Sequence, residues 1–442
     1  MVLCKEKREN KAMKKNTDLK RYAETYSNIY RHYLEQIQAL GITLAKKSDP
    51  SFPAARQSAL RQKGAIFRNE GKSVYLNWLS SACRACRTGD KSLTLLLSLQ
   101  CHRRCYYCFN PNQEGYNFYA SAQSNCTDRL QNSANSGREL THIALTGGEP
   151  LLHKEEMLAF FSLARSLYPQ AHLRLYTSGD LLDTEILRSL QHINLNEIRF
   201  GVKLEDGPAA RKKALSQIAL AKEAIADIMV EMPVIPGTKK EMAQLLLELD
   251  NLGISGINLL EFCYPFHRTE EFVKKGFQIK NPPYQVLYNY WYAGGLPIDN
   301  SENEAYELLA FAFEQGLRIG LHYCSLENKH TGQIFQQNFP HQDWEHTYFS
   351  KKDFFLKTAK VFGEDIPRVS KVLTDNGIPS TLDRQHGFLA FSVKDIDLLK
   401  DMDIEIGISS HVVEERNGDK YLRELKIDVI HLSQNEAWRS ML

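Results

Sequence analysis

The chain has no apolar run approaching the roughly 18 residues that a membrane helix requires, so no transmembrane segment is expected. Residues 1–15 lack the apolar core of a secretory signal, which sets the expectation of a protein kept in the reducing cytoplasm. Charge of one sign is also missing. The 55 Lys and Arg nearly balance 53 Asp and Glu, a net charge of +2, so nucleic acid is not an expected partner. The one basic stretch, Lys5 to Lys15 within residues 1–17, reads as a solvated tail, a nucleic-acid arm being the alternative. No Gly-x-Gly-x-x-Gly loop occurs. Gly71-Lys72-Ser73 matches only the end of a P-loop, because Ile66 stands where the first glycine is needed. No internal repeat is visible.

What is present is an ordinary globular composition, 43% hydrophobic and 24% charged over 442 residues, with room for two or three domains. Against it stand nine cysteines, an odd number. Without an export signal, clustered cysteines favour metal ligation over disulfides. Cys101, Cys105 and Cys108 follow the apolar run 93–99 as C-x3-C-x2-C, with Tyr107 just before the last. Such thiolates converge only if the loop curls around one object. Three ligands fit an iron–sulfur cubane with one iron left open, or a zinc knuckle borrowing a distant fourth ligand. Upstream, Cys83 and Cys86 form a C-x2-C pair, incomplete alone, and Cys324 in His322-Tyr323-Cys324-Ser325 is the partner chosen for them. His322 or Cys263 could supply a fourth ligand. The alternative makes Cys83 and Cys86 free surface thiols and Cys324 a small buried residue. Cys126 and Cys4 read as incidental.

Residues 18–40 have an apolar stripe, Tyr22, Tyr26, Ile29, Tyr33 and Ile37, and predict a helix docked on the main domain. Residues 48–58, with Pro50 and Pro53, read as a linker. From 92 onward, strands at 93–99, 142–146, 172–177, 197–203, 227–234 and 256–262 alternate with helices near 155–167, 182–190, 209–226 and 239–252, after a polar connection at 110–138. That pitch predicts parallel strands with right-handed crossovers, as a partial barrel or a doubly wound sheet. Both put working residues at the carboxyl ends of the strands. After about 324 the pattern becomes a small α+β domain: a helix at 365–376, a strand at 388–392, a helix at 393–402, and strands at 404–413 and 421–432 around an Asn417-Gly418 turn. The expected division is 1–90, a basic tail and helical extension carrying C-x2-C; 91–330, the repeated α/β domain; and 331–442, the accessory domain.

The second strand ends in Leu145-Thr146-Gly147-Gly148-Glu149-Pro150. Two glycines there would let a ligand approach the backbone, Glu149 and the exposed carbonyls would accept from an ammonium group, and Pro150 would start a helix. One strand after C-x3-C-x2-C, this turn makes residues 92–262 resemble the radical SAM superfamily. The resemblance implies a partial (β/α)6 barrel and a [4Fe–4S] cluster on Cys101, Cys105 and Cys108, its open iron chelated by S-adenosylmethionine. It puts the methionine ammonium on the Gly147–Glu149 backbone, with Pro150 closing the turn, and Tyr107 near the adenine. Ser178 would take the ribose, and the backbone at Val234 and Ile235 would pack on the adenine. An electron donor such as flavodoxin or ferredoxin is implied, with a 5′-deoxyadenosyl radical that abstracts hydrogen from an unidentified peptide, protein or small molecule. The upstream C-x2-C and the late Cys324 resemble a branch related to pyruvate formate-lyase activating enzymes, where extra cysteines imply an auxiliary iron–sulfur cluster or zinc.

Glu205, Asp206 and Glu261 stand at strand ends where a polar substrate could be met, or where caps and salt bridges form. His142 reads as structural. No cobalamin-binding domain is apparent. The competing class is a non-enzymatic iron–sulfur or zinc protein acting as a sensor or scaffold, which needs the cysteines but not residues 147–150.

Overall fold

A computed structural model describes residues 16–47, 51–113, 115–283, 295–432 and 439. The basic tail and Cys4 lie outside them. The chain forms two compact units, one spanning Ile37–Gln336 and one combining the residues up to Gln36 with those from Gln337 onward.

The strands of the first unit begin with a hairpin, β1 (Ile66–Arg68) and β2 (Ser73–Leu76). Six strands follow: β3 (Ser92–Leu96), β4 (His142–Thr146), β5 (His172–Thr177), β6 (Glu197–Gly201), β7 (Asp227–Val234) and β8 (Gly256–Glu261). A short antiparallel pair, β9 (Cys263–Tyr264) and β10 (Leu296–Pro297), precedes β11 (Gly320–Cys324). The large sheet runs β1-β2-β11-β8-β7-β6-β5-β4-β3, and its strands from β3 to β8 are parallel neighbours in chain order. A doubly wound sheet reverses its order partway. This one does not, so right-handed crossovers place the helices on one face, as in a partial barrel. β11 adds a seventh parallel strand beside β8, which the sequence did not announce.

Alternation along the strands sorts the two faces. Leu173, Leu175, Ile198 and Phe200 pack with Met157, Phe160, Phe161 and Ala164 of the helix Lys154–Leu167 in the main apolar core. Arg174, Tyr176, Glu197 and Arg199 alternate with them, so the face away from the helices is polar. Two expectations change. Of the expected linker at 48–58, the described residues from 51 onward are helical: a helix spans Ser51–Gln62, and Pro53 falls in its first turn, where an N–H has no helical partner. The polar connection contains a helix, Cys126–Asn135, whose start is capped by the Asn125 side chain accepting from the Asp128 N–H at 3.1 Å.

The second unit has β12 (Tyr348–Phe349), β13 (Leu356–Phe362), β14 (Ser380–Asp383), β15 (Phe388–Ser392), β16 (Glu405–Arg416) and β17 (Asp419–His431), in the order β14-β15-β13-β16-β17 with β12 on β13. Ala359, Val361, Phe391, Ile406 and Ile408 pack under Val369 and Leu373 of the helix Asp365–Asp375. Asn417 and Gly418 both have positive φ, 55° and 86°, as a two-residue hairpin turn requires. The N-terminal helix Thr17–Ala39 is corrected in its docking. Its Leu19 and Tyr22 pack on Phe362 and Phe388 of this C-terminal sheet, with Tyr22 and Phe362 ring centroids 5.1 Å apart.

Candidate metal and cofactor site

A cavity of about 310 Å³ opens at the carboxyl ends of the parallel strands. Leu96, Thr146, Pro233 and Glu261 contribute from β3, β4, β7 and β8, and the cysteine loop contributes Cys105, Tyr107, Cys108 and Phe109. Cys101 is solvent-exposed, while Cys105 and Cys108 are half-buried. Burial raises all three thiols, and Cys108, also opposed by Cys105 and Cys101, is pushed up to about 11. The three therefore stand within electrostatic reach of one another. Among the described residues no three His, Cys, Asp or Glu side chains are drawn together as a finished metal cage. The donor set suits iron and sulfide: soft thiols that burial keeps protonated, and that a bound cation would deprotonate.

Local backbone contacts explain the Gly-Gly turn. Gly148 N donates to Ser98 O and Glu149 N to Gln100 O, both at 2.8 Å, so the β4 end is stitched to the start of the cysteine loop. A Cβ on Gly147 would lie 2.1 Å from Ser98 O, and one on Gly148 would lie 1.9 Å from Gln100 O. The sequence reading gave these glycines to an approaching ligand; the backbone they admit is the cysteine loop's own. Glu149 likewise faces inward. Its carboxylate, 1% exposed, accepts from Leu151 N, the Thr177 hydroxyl and Ser178 N at 3.1, 2.7 and 2.7 Å, tying the β4 end to the β5 end. Pro150 begins the short helical turn that follows.

Sequence reasoning missed the residue that anchors the cysteine loop. Arg103 grips Asp180 with Nε and Nη2 at 2.7 and 2.8 Å and donates through Nη1 to Gly201 O at 2.9 Å. His102 adds a 2.7 Å contact to Asp180. The Arg103 hydrogen bond holds the Asp180 carboxyl well below the usual carboxylate range. The loop after β3 is thereby fastened to the β5 and β6 ends.

Tyr107 lines the cavity, its ring 5.9 Å from that of Phe262, and burial, with the Glu205 charge added, raises its hydroxyl well above the ordinary tyrosine value. Asp206, next to Glu205, pairs with Lys203 at 3.1 Å. Ser178 sits half-buried beside Asp180, whose N–H its hydroxyl accepts at 3.3 Å. Of 233–235, the residue on the cavity wall is Pro233; Val234 and Ile235 are buried, and Val234 O accepts the Ser301 hydroxyl. Glu261 is on the wall, with Leu326 N at 2.9 Å and Lys280 Nζ at 3.3 Å. His142 is half-buried beside His172, and burial lowers it to about 4.

On the polar face of the sheet, Cys83, Cys86 and Cys324 lie within electrostatic reach of one another. Cys83 accepts from Arg199 Nη2 at 3.3 Å, and Cys324, raised by burial to about 12, accepts from Asn328 at 3.3 Å. His322 is not free to join them. Its nitrogens meet the Ser73 hydroxyl at 2.8 Å and Asn258 Oδ1 at 2.9 Å, and burial lowers it to about 3. Cys263 instead lines the main cavity.

Among the described residues no helix is long and apolar enough to cross a membrane. Residues 95–249 match the sequence model of the Radical SAM superfamily. A protein of Methanocaldococcus jannaschii, provisionally named a glycyl-radical enzyme activating enzyme, is 26% identical over 211 residues, 46% of this chain and 55% of its own. The chain thus spans about half the length of that curated relative. Among solved structures, Streptococcus suis SuiB bound to S-adenosylmethionine overlays at 9% identity and a TM-score of 0.37, over 70% of this chain and 62% of that one. TsrM of Kitasatospora setae, a radical S-adenosylmethionine methyltransferase with cobalamin and a [4Fe–4S] cluster bound, overlays at 18% identity and 0.31, over 38% and 36%. The similarity of this chain to the radical SAM superfamily is thus carried by residues 95–249.

Proposed function

We propose that the chain is a radical SAM enzyme in which Cys101, Cys105 and Cys108 hold a [4Fe–4S] cluster, while the Gly147–Glu149 backbone, Tyr107 and Ser178 receive S-adenosylmethionine, with Pro233 at the wall position expected of Val234 and Ile235. The carrying observation is that Cys105 and Cys108 line one cavity with Tyr107 and Gly147 at the carboxyl ends of a singly wound parallel sheet. When bound, the cluster and S-adenosylmethionine would supply radical chemistry, a 5′-deoxyadenosyl radical for taking hydrogen from the substrate. The protein's own share is positional. Arg103 and Asp180 hold the cysteine loop, Glu149 locks the turn against β5, and Leu96, Phe109, Leu260 and Phe262 keep water from the reacting space.

The substrate belongs to the same proposal: a peptide, a protein or a small molecule, with a flavodoxin- or ferredoxin-like electron donor, in a cytoplasmic setting. Cys83, Cys86 and Cys324 are proposed as ligands of a second centre, iron–sulfur or zinc, supported by their mutual proximity. The test is anaerobic reconstitution, followed by the cluster's spectrum before and after S-adenosylmethionine and by 5′-deoxyadenosine formation with dithionite. A spectrum indifferent to S-adenosylmethionine, together with no 5′-deoxyadenosine under any reductant, would leave the reading as an iron–sulfur protein without this chemistry.

A further inference from the structure

The proposed chemistry gives no task to Lys329, a cation on the cavity wall. Lys329 lies in the helix Leu326–Asn338, directly after β11, and lines the cavity shared by Cys105, Cys108 and Gly147. β3 and β4 stand at one end of the parallel run and β11 at the other. Lys329 therefore enters the cavity from the wall opposite the cysteine loop. Nearby carboxylates are already engaged: Glu261 with Lys280 and Leu326 N, and Glu327 with Lys72 at 3.2 Å. Among the described residues none is ion-paired with Lys329. The groups its charge does reach are the thiols of Cys86, Cys263 and Cys324 and the imidazole of His322. Much of the remaining wall is apolar, from Leu96, Phe109, Leu260, Phe262 and Leu326. Lys329 is half-buried there with no carboxylate paired to it among the described residues, and a bound anion would supply that partner.

We propose that this wall is a subsite for a carboxylate carried on an apolar body, and that Lys329 pairs with that carboxylate. The inference rests on the radical SAM reading for what happens to the bound molecule, not for its binding. A free organic acid and a peptide carboxyl terminus present the same chemistry to Lys329. The test is ligand-observed NMR on the full chain with 3-phenylpropionate, its neutral amide 3-phenylpropionamide, and acetyl-Gly-Phe, against wild type, Lys329→Met and Lys329→Arg. The acid should bind wild type about tenfold more tightly than the amide. That margin should vanish in Lys329→Met and largely survive in Lys329→Arg.

Binding of acetyl-Gly-Phe with the same dependence assigns a peptide terminus, and its exclusion beside a bound free acid assigns a small molecule. Equal binding of acid and amide to wild type, or acid binding unchanged in Lys329→Met, overturns the proposal. So does displacement of the acid by saturating S-adenosylmethionine, because the carboxylate seat would then be the cofactor's. Should Lys329→Met not fold, Lys329→Gln replaces it. Cleavage of S-adenosylmethionine is measured separately, so failure of that chemistry and failure of this subsite give different results.

Discussion

Replacing Gly148 with alanine adds one methyl group, and the structure says where it goes. The new Cβ would sit 1.9 Å from Gln100 O and 2.5 Å from Gln100 C, backbone atoms that no rotamer change can move aside. Either β4 or the cysteine loop must shift, breaking the bonds from Gly148 N to Ser98 O and from Glu149 N to Gln100 O. Overpacking of this kind costs about 1–3 kcal/mol, and the loss falls on the residue adjoining Cys101. Gly201→Ala is the matched control. It adds the same methyl group at the β6 end, meets nothing within 4 Å, and keeps the carbonyl that Arg103 grips. Thermal or denaturant melts, with iron and sulfide content after identical reconstitution, should separate the two. Gly148→Ala should lose stability and most of its cluster, while Gly201→Ala should stay within about 0.5 kcal/mol of wild type. Equal behaviour of the pair, or full cluster loading in Gly148→Ala, would refute the idea that these glycines seat the cysteine loop.

Asp180→Asn should loosen the same loop, read as faster hydrogen exchange across residues 101–108. Because the folded Asp180 carboxyl lies below its unfolded value of about 3.9, its contribution is complete above that pH and disappears as pH falls through the folded value. Wild type should therefore lose up to about 1 kcal/mol more than Asp180→Asn on acidification below about pH 4, the pair being partly exposed. Glu197→Gln removes the fully buried partner of Arg199, His172 and the Ser80 hydroxyl, and should cost about 3 kcal/mol in a denaturant melt. Joint replacement of Cys101, Cys105 and Cys108 with alanine should leave metal bound by elemental analysis if Cys83, Cys86 and Cys324 form their own centre. Metal-free, folded protein would argue against that centre.

What the sequence revealed, and what it hid, follows the range of the interactions. The C-x3-C-x2-C loop and the Gly-Gly-Glu-Pro turn are each local in sequence, and short apolar runs mark the strands that carry them. The Arg103–Asp180 clamp joins residues 77 apart, and neither belongs to a recognisable motif. Glu149 looks, as a sequence letter, like an acceptor waiting for a ligand; only the fold reveals that Thr177 and Ser178 already use it. β13 was hidden by chemistry rather than distance. Its LKTAKVF carries two lysines in a wholly buried strand, a pattern that reads as surface until Asp353 and Glu424 are brought up to neutralise them. The N-terminal helix makes the same point. Of its apolar stripe Ile37 is buried, Tyr22, Tyr26 and Tyr33 are half-buried and Ile29 is exposed, while Leu19, outside the stripe, is fully buried; an apolar face is not addressed to a partner. What directs it to the C-terminal sheet is polar and long-range: Asn16 on the Phe362 carbonyl and Tyr22 on Glu424, contacts 346 and 402 residues apart in the chain. Lys329 belongs to the same class of hidden residue. In sequence it is one of many lysines, and only its place on the cavity wall, with neighbouring carboxylates already engaged, turns an ordinary cation into a candidate for holding substrate.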